Sequence, residues 1–212
     1  MAQYDKLDHW SLKAQKEGYP ARSVYKLKEL DEKFGLLPRS GWGRTGQDRA
    51  PFKILDLGAA PGSWSLYLLR KMSGQGSLTA ADLSPLSRQY DKGLFDGANF
   101  HFIQGDITDG TVRDAILAHG PFNLIISDAA PSTTGNRSVD TLRSLALVEE
   151  VIAYTEAALT SGGSLAVKVF QGGDTAAILA RIRGLFRTGK SFKPEACRAE
   201  SFETYYVGVG RK

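Results

Sequence analysis

The chain has 212 residues and a formal net charge of +4, with 42% hydrophobic and 24% charged residues. This is an ordinary globular composition, which excludes disorder for the bulk of the chain. At this length about 70% of the unfolded surface can be buried, so no covalent or metal staple is needed. The single Cys197 and the three scattered histidines (His9, His101, His119) exclude a disulfide framework and argue against any metal site. No apolar run approaches transmembrane length, and Met1–Trp10 carries charges in place of a signal core. A cytoplasmic setting and one domain over 1–212 are expected, with monomer as the default because no extended exposed apolar face is apparent.

The charge is unevenly spread. Residues 1–50 hold ten Lys/Arg against seven Asp/Glu, residues 51–180 nine against thirteen, and residues 181–212 eight against three. Two basic ends that meet in the fold would form one surface attractive to polyanions, beside an acidic pocket.

In chain order, residues 5–37 read as helical. Gly18-Tyr19-Pro20 divides a short first helix from a second starting near Ala21, in which Val24, Leu27, Leu30 and Phe34 recur at helical spacing and which Gly35 ends. Residues 38–51 form a long Gly- and Arg-rich loop, whose Trp42 either offers an exposed contact or, the favoured reading, folds back on the core. From Phe52 onward short apolar runs alternate with helical stretches. Strands are expected at Phe52–Leu57, Ser77–Leu83, Phe100–Gly105, Phe122–Ser127 and Ser164–Phe170. Helices are expected at Ser63–Met72, Thr108–His119, Ser138–Thr160 and Asp174–Phe186. That alternation implies a parallel sheet covered on both faces. Ser191–Ala196 and Thr204–Gly210 read as a last, antiparallel pair at the sheet edge.

The turn after the first strand, Asp56-Leu-Gly58-Ala-Ala-Pro61-Gly62-Ser-Trp64, opens a helix. Gly58 and Gly62 allow close backbone approach, but the spacing is neither G-x-G-x-x-G nor a P-loop, so a pyrophosphate would be poorly held. Asp56 at the strand end suits a cationic group such as the amino end of a methionine moiety. Asp82 ends the second strand, where an acid holds ribose hydroxyls. Asp106 ends the third, where it either accepts from an adenine amine or caps the next helix. Three such acids after a glycine turn point to S-adenosyl-L-methionine.

The fourth strand runs into Ser127-Asp128-Ala-Ala-Pro131, with no aromatic to stack a flipped base for amino methylation. Carbon methylation would need a nucleophilic cysteine, and Cys197 sits far from the strand-end turns. In Val167-Lys168-Val-Phe-Gln-Gly172 a lysine interrupts an apolar strand. That is costly unless it has a partner or a task, and a buried amine beside the cofactor crevice can accept or steer the proton of an alcohol. Asp128 on the neighbouring strand would orient it.

These motifs, with Arg22-Ser-Val-Tyr-Lys26-Leu and Ser201-Phe-Glu203-Thr-Tyr, cover nearly the whole chain. Together they resemble the RrmJ/FtsJ family of RNA ribose 2′-O-methyltransferases. The resemblance implies an α/β, Rossmann-like methyltransferase fold. Its seven-stranded, mostly parallel sheet has an antiparallel last strand and helices on both faces. Residues 1–37 would be an RNA-facing helical segment and 52–212 the catalytic core. It implies a catalytic tetrad at Lys26, Asp128, Lys168 and Glu203, and cofactor contacts at Gly62, Trp64, Asp82, Asp106 and Asp128. It also implies a large-subunit ribosomal RNA substrate, at a uridine. A tRNA anticodon loop, or a non-catalytic role in RNA binding or ribosome assembly, are the alternatives. The 38–51 loop is longer than the family's usual link.

Overall fold

The computed structural model describes residues 8–39, 42, 50–132, 134–172, 175–198 and 200–212. Helix α1 spans His9–Lys16, and the Asp8 side chain caps it by accepting from Ser11 N at 2.8 Å. Helix α2 spans Val24–Phe34 and ends at Gly35, whose left-handed φ of 62° a residue with a Cβ adopts only at a cost. Trp42 is buried against Phe52, as expected; the other residues of 40–49 lie outside the described residues.

The alternating region then gives β1 (Lys53–Leu57), α3 (Ser63–Met72), β2 (Ser77–Asp82), β3 (Phe100–Gln104), α4 (Gly110–Leu117), β4 (Phe122–Ser127) and α5 (Arg137–Ala158). After them come β5 (Leu159–Phe170), α6 (Thr175–Leu185), β6 (Phe186–Phe192) and β7 (Glu203–Arg211). One sheet runs in the order β3-β2-β1-β4-β5-β7-β6. The first five strands are mutually parallel, and β7 is antiparallel to both of its neighbours.

Two expectations shift. Strand β5 starts at Leu159, five residues early: Leu159 pairs with Phe122, and the ladder resumes at Ser164 opposite Leu124 after a register irregularity that holds exposed Ser161 and Gly162. Glycine and exposure there erase the apolar pattern that marks a strand. The last pair is β6–β7, with β6 at 186–192 in place of 191–196. Pro194 has no N–H to give to a ladder and instead starts a turn, its carbonyl accepting from Cys197 N at 3.1 Å. As the outer strand, β6 buries only Phe186 fully, so its period-2 signal is weak.

Strand alternation divides the core. Ile54, Leu124, Ile126, Ala166 and Val207 face one way, with α1–α3. Leu55, Ile125, Leu165, Val167 and Tyr206 face the other, with α4–α6. Among the described residues, no helix is long and apolar enough to cross a membrane.

Candidate active site

Asp56, Asp82, Asp128 and Lys168 share their parity with the strand residues that face α1–α3, and so do Glu203 and Tyr205. The period of two therefore gathers the charged groups on one side of the sheet, at the ends of the parallel strands. Antiparallel pairing sets Lys168 opposite Tyr205 and Phe170 opposite Glu203. Lys26 reaches the same place from α2.

The four residues of the expected tetrad come together. Lys168 Nζ lies 3.0 Å from Asp128 Oδ1 and donates to the Asp128 backbone oxygen at 2.5 Å. Lys26 Nζ donates to Glu203 Oε2 at 2.7 Å and lies 4.0 Å from Asp128 Oδ1. Both lysines are buried, at 8% and 7% exposure, which is tolerable because each is paired. Burial opposes the Lys26 ammonium, but the charges of Asp128 and Glu203 outweigh it and raise its pKa. Burial likewise opposes the Asp128 carboxylate, and Lys168 and Lys26 overcome it and lower its pKa.

Tyr205 belongs to this cluster and was not singled out from the sequence. Its hydroxyl donates to Asp128 Oδ1 at 2.5 Å, and burial pushes its pKa well above the usual phenol value. The signal was available: Tyr205 stands two residues after Glu203 in one strand, hence on the same face. Cys197 lies nearer the cluster than its sequence position suggests, within reach of the charges of Lys26, Glu203 and Asp128. Burial raises its thiol to about 11, so it remains a neutral thiol and no nucleophile.

A cleft of about 700 Å³ opens beside the first glycine turn, bordered by Gly58, Asp82, Asp106 and Asp128. Gly58 has φ 76°, and a Cβ there would stand 2.5 Å from Ala129 Cα, so only glycine lets the two turns meet. Asp82 is held by Ala60 N at 2.9 Å and Ser84 N at 2.8 Å. Asp106 accepts from Thr108, while Asp109 caps α4, so the capping alternative for Asp106 falls away.

Three expected cofactor residues do not border this cleft. Gly62 starts α3 at φ 105° and faces Phe95. Trp64 is buried and donates to the Ser23 carbonyl at 2.7 Å, tying α3 to the start of α2. Asp56 is fully buried under the turn; its Oδ2 accepts from Ser65 Oγ at 2.7 Å while Oδ1 has no partner. Burial raises its pKa to about 7, so it is a poor anion for a ligand's amino group.

Among the described residues, Asp82, Asp106, Asp128 and Glu150 border the cleft against the single cation Arg143. That donor set, with the Gly58 cradle, fits a nucleoside carrying a cationic tail and disfavours a polyphosphate. A second cleft, of about 570 Å³, has the opposite balance: Arg22, Lys26, Arg137 and Arg198 against Asp140, Glu200 and Glu203. Asp128 borders the first cleft and Lys26 and Glu203 the second, so the paired charges stand between the two.

Residues 19–211 match the FtsJ-like methyltransferase family, and the chain belongs to it. A protein named ribosomal RNA large subunit methyltransferase E from Treponema denticola is 47% identical over 210 residues, covering 99% of this chain and 97% of that one. One of the same name from Nitratidesulfovibrio vulgaris is 43% identical over 205 residues, covering 96% and 94%. A ribosomal RNA methyltransferase of Plasmodium falciparum superposes with a TM-score of 0.71 at 26% identity, over 91% of this chain and 98% of that one. The fibrillarin of Methanococcus jannaschii, with a TM-score of 0.52 at 15% identity over 89% and 76%, shares the fold.

Proposed function

We propose that the enzyme transfers a methyl group from S-adenosylmethionine to a ribose 2′-hydroxyl, at a uridine of large-subunit ribosomal RNA. The observation that carries this reading is the paired Lys168–Asp128 and Lys26–Glu203 cluster standing between an acidic cleft and a basic one. The names of the relatives support the choice of RNA.

The cofactor, when bound, supplies a methyl group already activated on a sulfonium. In this reading Asp82 holds its ribose, Asp106 its adenine amine, and Asp128 its amino end. The chain's remaining task is to present an oxygen. Lys168 Nζ spends two of its three donors on Asp128 and has one left for the acceptor hydroxyl. Held there, the oxygen keeps a lone pair turned toward the acidic cleft, and positioning supplies most of the rate. Lys26, paired with Glu203, keeps a second cation beside Asp128, so the carboxylate stays ionised while it orients Lys168. An oxygen that has gained a methyl group is strongly acidic and gives its proton to a carboxylate or to water. The 2′-hydroxyl requirement itself separates RNA from DNA.

The test is methyl transfer from labelled S-adenosylmethionine to large ribosomal subunits, free ribosomal RNA and bulk tRNA, with nuclease mapping of the product. Label on a ribose of large-subunit RNA is expected. Label on tRNA would keep the chemistry and move the substrate. Cofactor binding without transfer to any of the three would overturn the enzymatic reading.

A further inference from the structure

Along β5 the face that carries Lys168 continues, one strand step of about 7 Å further, to Phe170. The Phe170 ring meets Phe202 edge to face, with centroids 4.7 Å apart at 62°. The Arg137 guanidinium carbon lies 5.3 Å from the centre of the Phe202 ring. All three border the basic cleft. Phe170 is buried and acts as backing, while Phe202 is half-buried and Arg137 exposed. The platform is anchored, because the Phe202 carbonyl accepts from Gln171 N at 2.8 Å.

The carboxylates of this cleft are partly committed. Asp140 accepts from Thr134 N at 2.7 Å and Thr134 Oγ1 at 2.8 Å, and Glu203 accepts from Lys26. What the wall offers a ligand near Lys168 is therefore a flat aromatic and guanidinium surface more than free acceptors. A nucleotide whose 2′-oxygen touches Lys168 brings its base to within that one strand step.

We propose that Phe202 and Arg137, backed by Phe170, form the platform on which the base of the target nucleotide stacks once it is drawn out of its RNA helix. This rests on the ribose-methylation reading above. Recognition is of the base's face: base–aromatic stacking accepts every base, and the guanidinium adds a cation–π contact.

The experiment measures methyl transfer to an RNA of large-subunit sequence and to the same RNA with an abasic ribose at the target. Phe202→Ala, Phe202→Leu, Phe202→Tyr and Arg137→Ala are compared with wild type, and S-adenosylmethionine affinity is measured by calorimetry for each. On intact RNA, Phe202→Ala and Phe202→Leu are expected to lower kcat/KM about 5- to 100-fold, and Phe202→Tyr to restore it. Arg137→Ala, at an exposed helix start, is expected to cost about 3- to 10-fold with no disturbance of the fold. Cofactor affinity stays level throughout. On abasic RNA wild type falls to the level of Phe202→Ala, and the difference between them closes. Full kcat/KM in Phe202→Leu and Arg137→Ala, or an equal loss on intact and abasic RNA, overturns the platform. Absence of any ribose-mapped label from wild type overturns the underlying reading and the platform with it.

Discussion

Val167 and Lys168 are neighbours in β5 but serve different chemistries. Val167 belongs with Ile125, Leu165 and Ile152 to the apolar cluster beneath α4–α6. Lys168 turns the other way, toward Asp128, Tyr205 and Lys26. One face of the sheet is a foundation and the other a worksite, and the change from one to the other is a single residue of register. The foundation permits the worksite: burying two ammonium groups costs several kcal/mol each before pairing, and the aliphatic layer helps offset it.

The two faces should fail differently. The largest effect is expected from Asp128→Asn, which removes the anion shared by Lys168 and Lys26. Turnover should fall at least about 100-fold, and urea unfolding should show a loss on the order of 3 kcal/mol, since Lys168 is left as a buried, unpaired cation. Ile152→Ala on the opposite face should cost about 2–5 kcal/mol of stability through a cavity. The folded fraction should keep its cofactor affinity and rate, measured below the unfolding transition. A lost rate in that variant would mean that the two faces are not separable.

The smallest effect sharpens the comparison, because Asp56 is a charge-bearing residue of the worksite face that behaves as part of the foundation. Its pKa in the folded protein, about 7, lies above the ordinary carboxylate value. The folded state thus retains a proton that the unfolded chain releases. This residue's contribution falls as pH rises from about 4 to 7 and is level above that. Asp56→Asn should remove the slope, gaining on the order of 1–3 kcal/mol on wild type between pH 5 and pH 8 in urea titrations. Parallel curves for the two proteins would contradict the buried, proton-retaining Asp56.

Much of this was legible in the sequence, for physical reasons. Short apolar runs separated by helical spacing located β1 to β4 and the core of β5. The inner strands β1, β2, β4 and β5 are buried on both faces and show continuous hydrophobicity, and edge strand β3 keeps the run Phe100-His-Phe-Ile103. The edge strand β6 and the glycine-containing start of β5 escaped, because neither buries enough side chains to leave a pattern. In the site, Asp128 and Lys168 are conspicuous as charges in apolar strands. Lys26 and Glu203 are ordinary surface charges until pairing with Asp128 and with each other gives them a role, so only the family resemblance reached them. Asp56 and Trp64 belong to the turn's motif, but their side chains are buried and do not line the cleft beside Gly58, a difference from Asp82 and Asp106 that the sequence pattern does not carry. Tyr205 and Phe202 lie within the Ser201–Tyr205 motif, which by itself gives them no role. Strand parity and the β5–β7 register place Tyr205 opposite Lys168, and only the folded contacts of Phe202 with Phe170 and Arg137 place it at the basic cleft.

The division of labour between the clefts is tested most directly by a single-turnover measurement on Lys168→Ala, paired with its calorimetric affinity for S-adenosylmethionine. The expected result is a rate at least about 100-fold below wild type, with affinity within about two-fold, since Lys168 borders neither the Gly58 turn nor Asp82. A near-wild-type rate would remove Lys168 from the reaction, and an affinity loss matching the rate loss would make it part of the cofactor site.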